Sequence, residues 1–77
     1  MTNAPELAAN PLRAWMRNGW LHVAGLTAGE TWSVYSASGA LIYRNVAATS
    51  EAEIPLPVQG MYIVSTKNDA VRVVFDQ

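Results

Sequence analysis

The chain contains one histidine, His22, and histidine is the side chain best suited to metal binding or acid–base chemistry near neutral pH. A metal site would need two or three further histidine or carboxylate ligands, and none stands at metal-ligand spacing from His22. A serine or threonine nucleophile would need a base beside an orienting acid, whereas His22 lies in a strand-like run away from any acidic loop. We therefore interpret His22 as a surface residue of a strand.

Two pairs of oxygen-bearing side chains are the next candidates. Glu51 and Glu53 would lie side by side on one face of a strand, whereas glycoside hydrolysis needs carboxylates that face each other across a cleft at ~5–9.5 Å. Asn68 and Asp69 lack the alternating acidic ligands of a calcium loop, and a turn explains both. The sequence accordingly predicts no catalytic residue, no metal and no cofactor, and an enzyme is not expected.

The aromatic residues indicate binding rather than catalysis. Three tryptophans and three tyrosines are many for 77 residues, and exposed aromatic rings can stack on sugar rings or dock a protein. Small sandwiches also use aromatic residues in their cores, and large aromatic side chains mostly pack. Trp15, Trp20 and Trp32 are the candidate aromatic binding face, and their burial distinguishes a binding surface from core packing.

The composition excludes several classes of protein. Hydrophobic residues make up 51% of the chain and charged residues 14%, which argues against disorder. Five basic and six acidic residues are scattered singly, which argues against nucleic-acid binding. No apolar run approaches the ~18–20 residues of a membrane span, and the absence of cysteine excludes disulfides and thiolate chemistry. We expect one monomeric domain over residues 11–77, without membrane insertion, preceded by a flexible leader over residues 1–10.

The elements that position these residues are short strands. Asn18 and Gly19 both tolerate positive φ and predict a type I′ turn between strands at residues 12–17 and 20–24. Alternation places Leu21 and Val23 on one face of the second strand, and Trp20 and His22 on the other. Further strands are predicted at residues 31–36, 40–46, 51–56, 61–66 and 70–75.

The residues of the later strands also predict where each strand lies in the sandwich. The run at 40–46 has apolar groups on both faces, which predicts a place in the middle of the sandwich. Pro55 places the run at 51–56 at a sheet edge or strand end. A three-residue loop at 67–69 closes the last hairpin. Its two strands are expected to contribute core residues while Arg72 points outward; these core residues are Met61, Ile63, Val71, Val73 and Phe75.

This spacing predicts an all-β fold, a small antiparallel β-sandwich of the Ig-like or Greek-key type with six to seven short strands. A small open barrel is the alternative. No repeat of 20–50 residues is present, which excludes propellers and solenoids.

Four segments form an ordered pattern along the chain: NP at residues 10–11, LHVAGL at 21–26, WSVYSASGALI at 32–42, and LPVQGMYIV at 56–64 followed by VRVV at 71–74. Taken in this order, they resemble C-terminal sorting domains of secreted and surface proteins of Bacteroidetes. Ser36 stands where that family often has aspartate, and Arg72 where it often has lysine. A related branch, found as an accessory domain on gut-bacterial surface proteins, fits the same segments.

The resemblance implies a non-enzymatic module at the C-terminus of a larger exported protein, acting in secretion or cell-surface attachment. Its partner would be the type IX secretion apparatus or a cell-surface component, and its location the medium or the outer-membrane surface. Arg72 is the candidate recognition residue. The alternative from the aromatic residues is an accessory module that binds a glycan or a protein.

Overall fold

Seven strands alternate with short turns along residues 11–76, the part of the chain that the computed structural model describes. The predicted leader over residues 1–10 lies outside the described residues. Each strand is five or six residues long. In chain order they are β1 (Arg13–Arg17), β2 (Trp20–Ala24), β3 (Thr31–Ser36), β4 (Leu41–Val46), β5 (Glu51–Pro55), β6 (Gly60–Ser65) and β7 (Ala70–Phe75).

The strands form two antiparallel sheets. One has three strands in the order β1-β2-β5, and the other has four in the order β4-β3-β6-β7. In the constant-type Ig arrangement the fourth strand pairs with the fifth. Here β4 pairs with β3 instead, and so belongs to the four-stranded sheet rather than to the sheet that contains β5. The prediction of an all-β antiparallel sandwich is confirmed.

The first hairpin follows its predicted turn chemistry. Asn18 has φ of 53° and Gly19 of 80°, both in the left-handed region that a type I′ turn requires. This two-residue turn pairs Arg17 with Trp20 and Trp15 with His22. Leu21 is consequently directed into the core, and the tryptophans to the outer side of the sheet.

The core lies between the inner faces of the two sheets. Leu21, Val23, Val34 and Val64 are almost completely buried there, and β1 lies against β7 where the sheets meet. Tyr62 on β6 is also buried, and its hydroxyl donates a hydrogen bond to the carbonyl oxygen of Val58 at 2.6 Å. This bond back to the preceding connection has the form of the tyrosine corner that stabilises Ig-like sandwiches.

The predicted position of residues 40–46 is wrong. β4 is an edge strand, next to β3 only, and its side chains Leu41, Ile42 and Val46 are exposed. A strand with two apolar faces is buried only when a layer covers each face, and none of the described residues covers the outer face of β4. The predicted edge position of β5 is confirmed.

The predicted inner face of β6 is also wrong. Tyr62 and Val64 face the core, whereas Met61 and Ile63 lie on the outer side. The connection between β6 and β7 comprises residues 66–69 instead of the expected three, and Ser65 pairs with Ala70. Because side chains alternate along a strand, a loop longer by one residue reverses which face of β6 joins the core.

The prediction for β7 is confirmed. Val73 and Phe75 are buried and Val71 is partly buried against the same core. Arg72 is exposed on the outer side of the four-stranded sheet, opposite Ile63. This strand therefore supplies apolar side chains to the core while presenting one guanidinium to solvent.

Candidate functional site

The outer side of the three-stranded sheet combines tryptophan rings with charged side chains. Residues directly opposite each other on neighbouring strands share a face of the sheet, and the register places three such rows across β1, β2 and β5. We call this surface the aromatic face, and its rows are Arg13–Ala24–Glu51, Trp15–His22–Glu53 and Arg17–Trp20–Pro55.

The central row is an ordered stack. The rings of Trp15 and His22 are nearly parallel, with an interplanar angle of 9° and centroids 5.6 Å apart. Glu53 continues the row, with its Oε2 atom 3.5 Å from Nδ1 of His22. The carboxylate and the indole thus hold the imidazole between them, and Trp15 remains 43% exposed. A flat, oriented ring that stays accessible to solvent is suited to stacking on a ligand.

Two adjoining depressions flank this row. The first, of about 350 Å³, is lined by Trp15 together with Glu51 and Glu53. The second, of about 390 Å³, is lined by Trp20 and Arg17, and Trp20 is 44% exposed. His22 and Glu53 line both depressions. Each depression therefore has its own indole wall and charged group, and a shared imidazole and carboxylate lie between them.

The charges of the aromatic face balance. β1 contributes the guanidinium groups of Arg13 and Arg17, and β5 contributes the carboxylates of Glu51 and Glu53. Trp20 and His22 on β2 lie between these two charged edges, and Trp15 lies on β1 between the two arginines. A ligand on this face meets hydrogen-bond donors on one side and acceptors on the other, with no excess charge.

The structure brings two of the three predicted tryptophans together. Trp15 and Trp20 are diagonal neighbours on the aromatic face. Trp32 does not join them, because it is only 2% exposed and packs against Tyr43 at a ring-centroid distance of 5.3 Å. Its inclusion in the binding face is wrong; the inner face of β3 buries its indole in the core. Arg72 lies on the opposite sheet.

No protein-family model, curated protein or solved structure matches this chain. The assignment of a site therefore depends on its geometry and chemistry. Within residues 11–76, no group of three or more histidine, cysteine or acidic side chains is arranged to hold a metal ion. The same residues include no helix of the length and hydropathy needed to cross a bilayer.

The remaining predicted polar residues have structural positions. His22 is half-buried on a strand and Glu51 and Glu53 are exposed on one face, as predicted. Asn68 and Asp69 belong to the turn between β6 and β7. Their backbone N–H groups donate to Oγ1 of Thr66 at 3.4 and 3.1 Å. Asn68 and Asp69 therefore lie in a turn, as predicted.

Two features of the aromatic face were not predicted from the sequence: the presence of Arg17 and the contact between His22 and Glu53. The position of Arg17 was available in the sequence, because a two-residue turn at Asn18 and Gly19 necessarily places Arg17 opposite Trp20. The contact of Glu53 with His22 depends on the pairing of β2 with β5, which are separated by another hairpin. No local pattern specifies such a pairing.

Proposed function

We propose that this chain is a non-catalytic module that binds a neutral carbohydrate on the aromatic face. The observation that carries the proposal is the solvent-accessible Trp15–His22 stack, with Trp20 as its diagonal neighbour. Sugars present apolar C–H faces bordered by hydroxyl groups. An indole provides a flat apolar surface for the C–H face, and the adjacent carboxylates and guanidinium accept from and donate to hydroxyls.

The size of the face favours a carbohydrate over a folded protein. Three five-residue strands span roughly 17 Å by 14 Å, or on the order of 250 Å² of sheet. A stable protein–protein interface buries about 800 Å² on each partner. The two depressions, each with one tryptophan, suit consecutive sugar units of a chain. The balanced charges match a ligand without ionised groups.

Replacing either exposed tryptophan should weaken carbohydrate binding strongly without unfolding the chain. We expect Trp15→Ala and Trp20→Ala each to weaken binding by at least about tenfold, because an aromatic anchor at the centre of a site carries much of its binding energy. Each indole is somewhat more than half buried, so the free energy of unfolding should fall by about 1–2 kcal/mol, which is less than the total stability of such a domain. Affinity electrophoresis in gels containing xylan, mixed-linkage β-glucan, galactomannan or mannan measures the binding.

The control is Leu41→Ala, which removes an exposed apolar side chain from the opposite sheet. It should leave binding unchanged. Glu53→Gln, which keeps the shape but removes the carboxylate beside His22, should give an intermediate loss. If the wild-type chain binds a polysaccharide and both tryptophan variants bind it equally well, the ligand does not lie on the aromatic face. If none of the polysaccharides retards the wild-type chain, the carbohydrate proposal fails.

We also propose that the chain serves the export or surface attachment of a larger protein. The support is the resemblance to sorting domains, together with the position of Arg72, which is exposed on β7 in the last resembling segment. An outward guanidinium with no role in the core is available to a receptor. This function and carbohydrate binding use opposite sheets and are compatible with each other.

Fusion of residues 10–77 to a periplasmic reporter in a Bacteroidetes host tests this second function. We expect the fused reporter to reach the cell surface or medium, and Arg72→Ala to reduce that export while changing stability by less than about 0.5 kcal/mol. Arg13→Ala, which removes another exposed strand arginine, is the matched control. Retention of the reporter in the periplasm with and without the domain would contradict the export function. Normal export of the Arg72→Ala fusion would remove Arg72 as the recognition residue.

A further inference from the structure

The outer side of the four-stranded sheet contains a buried polar side chain that the proposed functions do not use. Ser33 on β3 is 8% exposed and is the one buried polar residue among residues 11–76. Its neighbours across the sheet are Arg44 on β4 and Ser65 on β6. Within those residues its hydroxyl makes no hydrogen bond, although it lines an open groove. A mostly buried hydroxyl with no partner among residues 11–76 calls for an explanation.

The groove, of about 420 Å³, surrounds this hydroxyl with donors. Ser33 and Ser65 form its floor, and Thr31 lies one row along β3. Arg44 and Lys67 line it as cations. The hydroxyl of Ser65 makes only a long bond, 3.4 Å, to the carbonyl oxygen of Thr66. Three hydroxyls, a guanidinium and an ammonium thus converge on one space, and their positions span more than one row of the sheet.

The charge of the groove lining favours an anion. Arg44 and Lys67, two of the five basic residues in the chain, line the groove, whereas Asp69 and Asp76, which flank β7, do not. Glu30, half-buried, is the only carboxylate that lines the groove among the described residues. The groove lining therefore has two cations and one carboxylate, whereas the guanidinium groups and carboxylates of the aromatic face are equal in number.

We propose that this groove binds a tetrahedral oxyanion, the sulfate or phosphate group of a small ester. Charge-assisted hydrogen bonds from Arg44 and Lys67 would neutralise the group, and the hydroxyls of Ser33, Ser65 and Thr31 would donate to its remaining oxygens. A carboxylate, with two oxygens in one plane, would leave some of these donors unused. The proposal is independent of carbohydrate binding, because the groove lies on the other sheet from the tryptophans.

Titration of the ¹⁵N-labelled chain with sodium sulfate and sodium phosphate tests the proposal, with sodium chloride at matched ionic strength as the reference. Both oxyanions should shift the amide resonances of Ser33, Arg44 and Ser65 with saturation, and chloride should not. Glucose 6-sulfate and glucose 6-phosphate distinguish the two sources of the group, and the one that binds more tightly identifies the natural ester. Absence of saturable shifts with all four anions would overturn the proposal.

Two matched substitutions separate a built site from general attraction to a basic surface. We expect Arg44→Gln to weaken binding roughly tenfold, the effect of one charge-assisted contact, and Arg72→Gln, with the same change of charge on the same sheet, to weaken it less than about twofold. Equal losses in the two variants would mean that only an adventitious ion is bound.

Ser33→Ala distinguishes anion binding by the Ser33 hydroxyl from a purely structural role of that hydroxyl. It should weaken oxyanion binding while keeping or raising the melting temperature, because it removes a mostly buried hydroxyl that has no partner among residues 11–76. A lowered melting temperature with unchanged binding would show that the Ser33 hydroxyl stabilises the fold and does not contact the anion. That result, or unaltered binding in Arg44→Gln, would overturn the assignment.

Discussion

A chain that ends at Ala70 is expected to lose cooperative folding altogether. The truncation removes β7, one of the two strands that pair with β6, and with it the buried side chains of Val73 and Phe75. Complete burial of each such side chain contributes about 1.5–3 kcal/mol, and a domain of this size has a total stability near the lower end of the roughly 5–15 kcal/mol range. Urea unfolding followed by circular dichroism should show no sigmoidal transition.

Two valines on the same strand provide the control for this prediction. Val73 is buried and Val74 is 62% exposed, so the two alanine substitutions make identical chemical changes on opposite faces of β7. We expect Val73→Ala to lower the free energy of unfolding by about 2 kcal/mol and Val74→Ala by less than about 0.5 kcal/mol. Equal losses in the two variants would show that the assignment of Val73 to the core and Val74 to the surface is wrong. A cooperative transition in the truncated chain would show that the fold does not need β7.

The parts of the fold that could be predicted from the sequence depend on local backbone chemistry. The turn at Asn18 and Gly19 specifies the φ angles and the loop length together, so the arms, their register and the outward direction of Trp15 and Trp20 all follow. Val73 and Phe75 follow from alternation within one strand. These features need no information from elsewhere in the chain.

The errors arose where the answer depends on pairing between distant segments. The two apolar faces of β4 do not reveal that its outer side is left uncovered by the described residues, because that depends on the order of the strands in the two sheets. The inner face of β6 depends on whether its hairpin loop has three or four residues. The hydrogen bond from the Thr66 N–H to the carbonyl oxygen of Asp69 at 2.8 Å decides this. Turn residues alone are compatible with both lengths.

The candidate site also has some features that are set by local sequence and others that are set by the assembly of distant segments. Trp15, His22 and Trp20 belong to one local hairpin, so the face that they share could be predicted from the sequence. The approach of Glu53 to His22 and the burial of Trp32 could not, because each results from the way the two hairpins and the two sheets assemble. Polar residues that share no motif in the sequence, such as Ser33 and Arg44, form a groove only once β3 and β4 pair.

The second large effect is expected at Gly25, immediately after β2. Gly25 has φ of +87°, and a Cβ atom there would overlap the carbonyl oxygen of Pro11 and lie 2.8 Å from its carbonyl carbon. The left-handed conformation alone costs a non-glycine residue about 1–2 kcal/mol. The overlap involves backbone that leads into the buried Leu12, so it cannot be relieved by rotating a side chain. We expect Gly25→Ala to lower the free energy of unfolding by more than about 3 kcal/mol, measured by urea denaturation.

Gly39→Ala isolates the part of this loss that comes from the left-handed conformation. Gly39 has φ of +91°, and a Cβ atom added there would meet nothing within 4 Å, so alanine should cost only about 1–2 kcal/mol. The difference between the two variants measures the close approach of Pro11 to the end of β2. Since β1 begins two residues after Pro11 and carries Trp15, displacing this contact should also disturb the Trp15–His22 stack, visible as a change in tryptophan fluorescence before unfolding. Equal losses in Gly25→Ala and Gly39→Ala would show that the first strand yields freely at Pro11 and that the contact does not hold β1 in place.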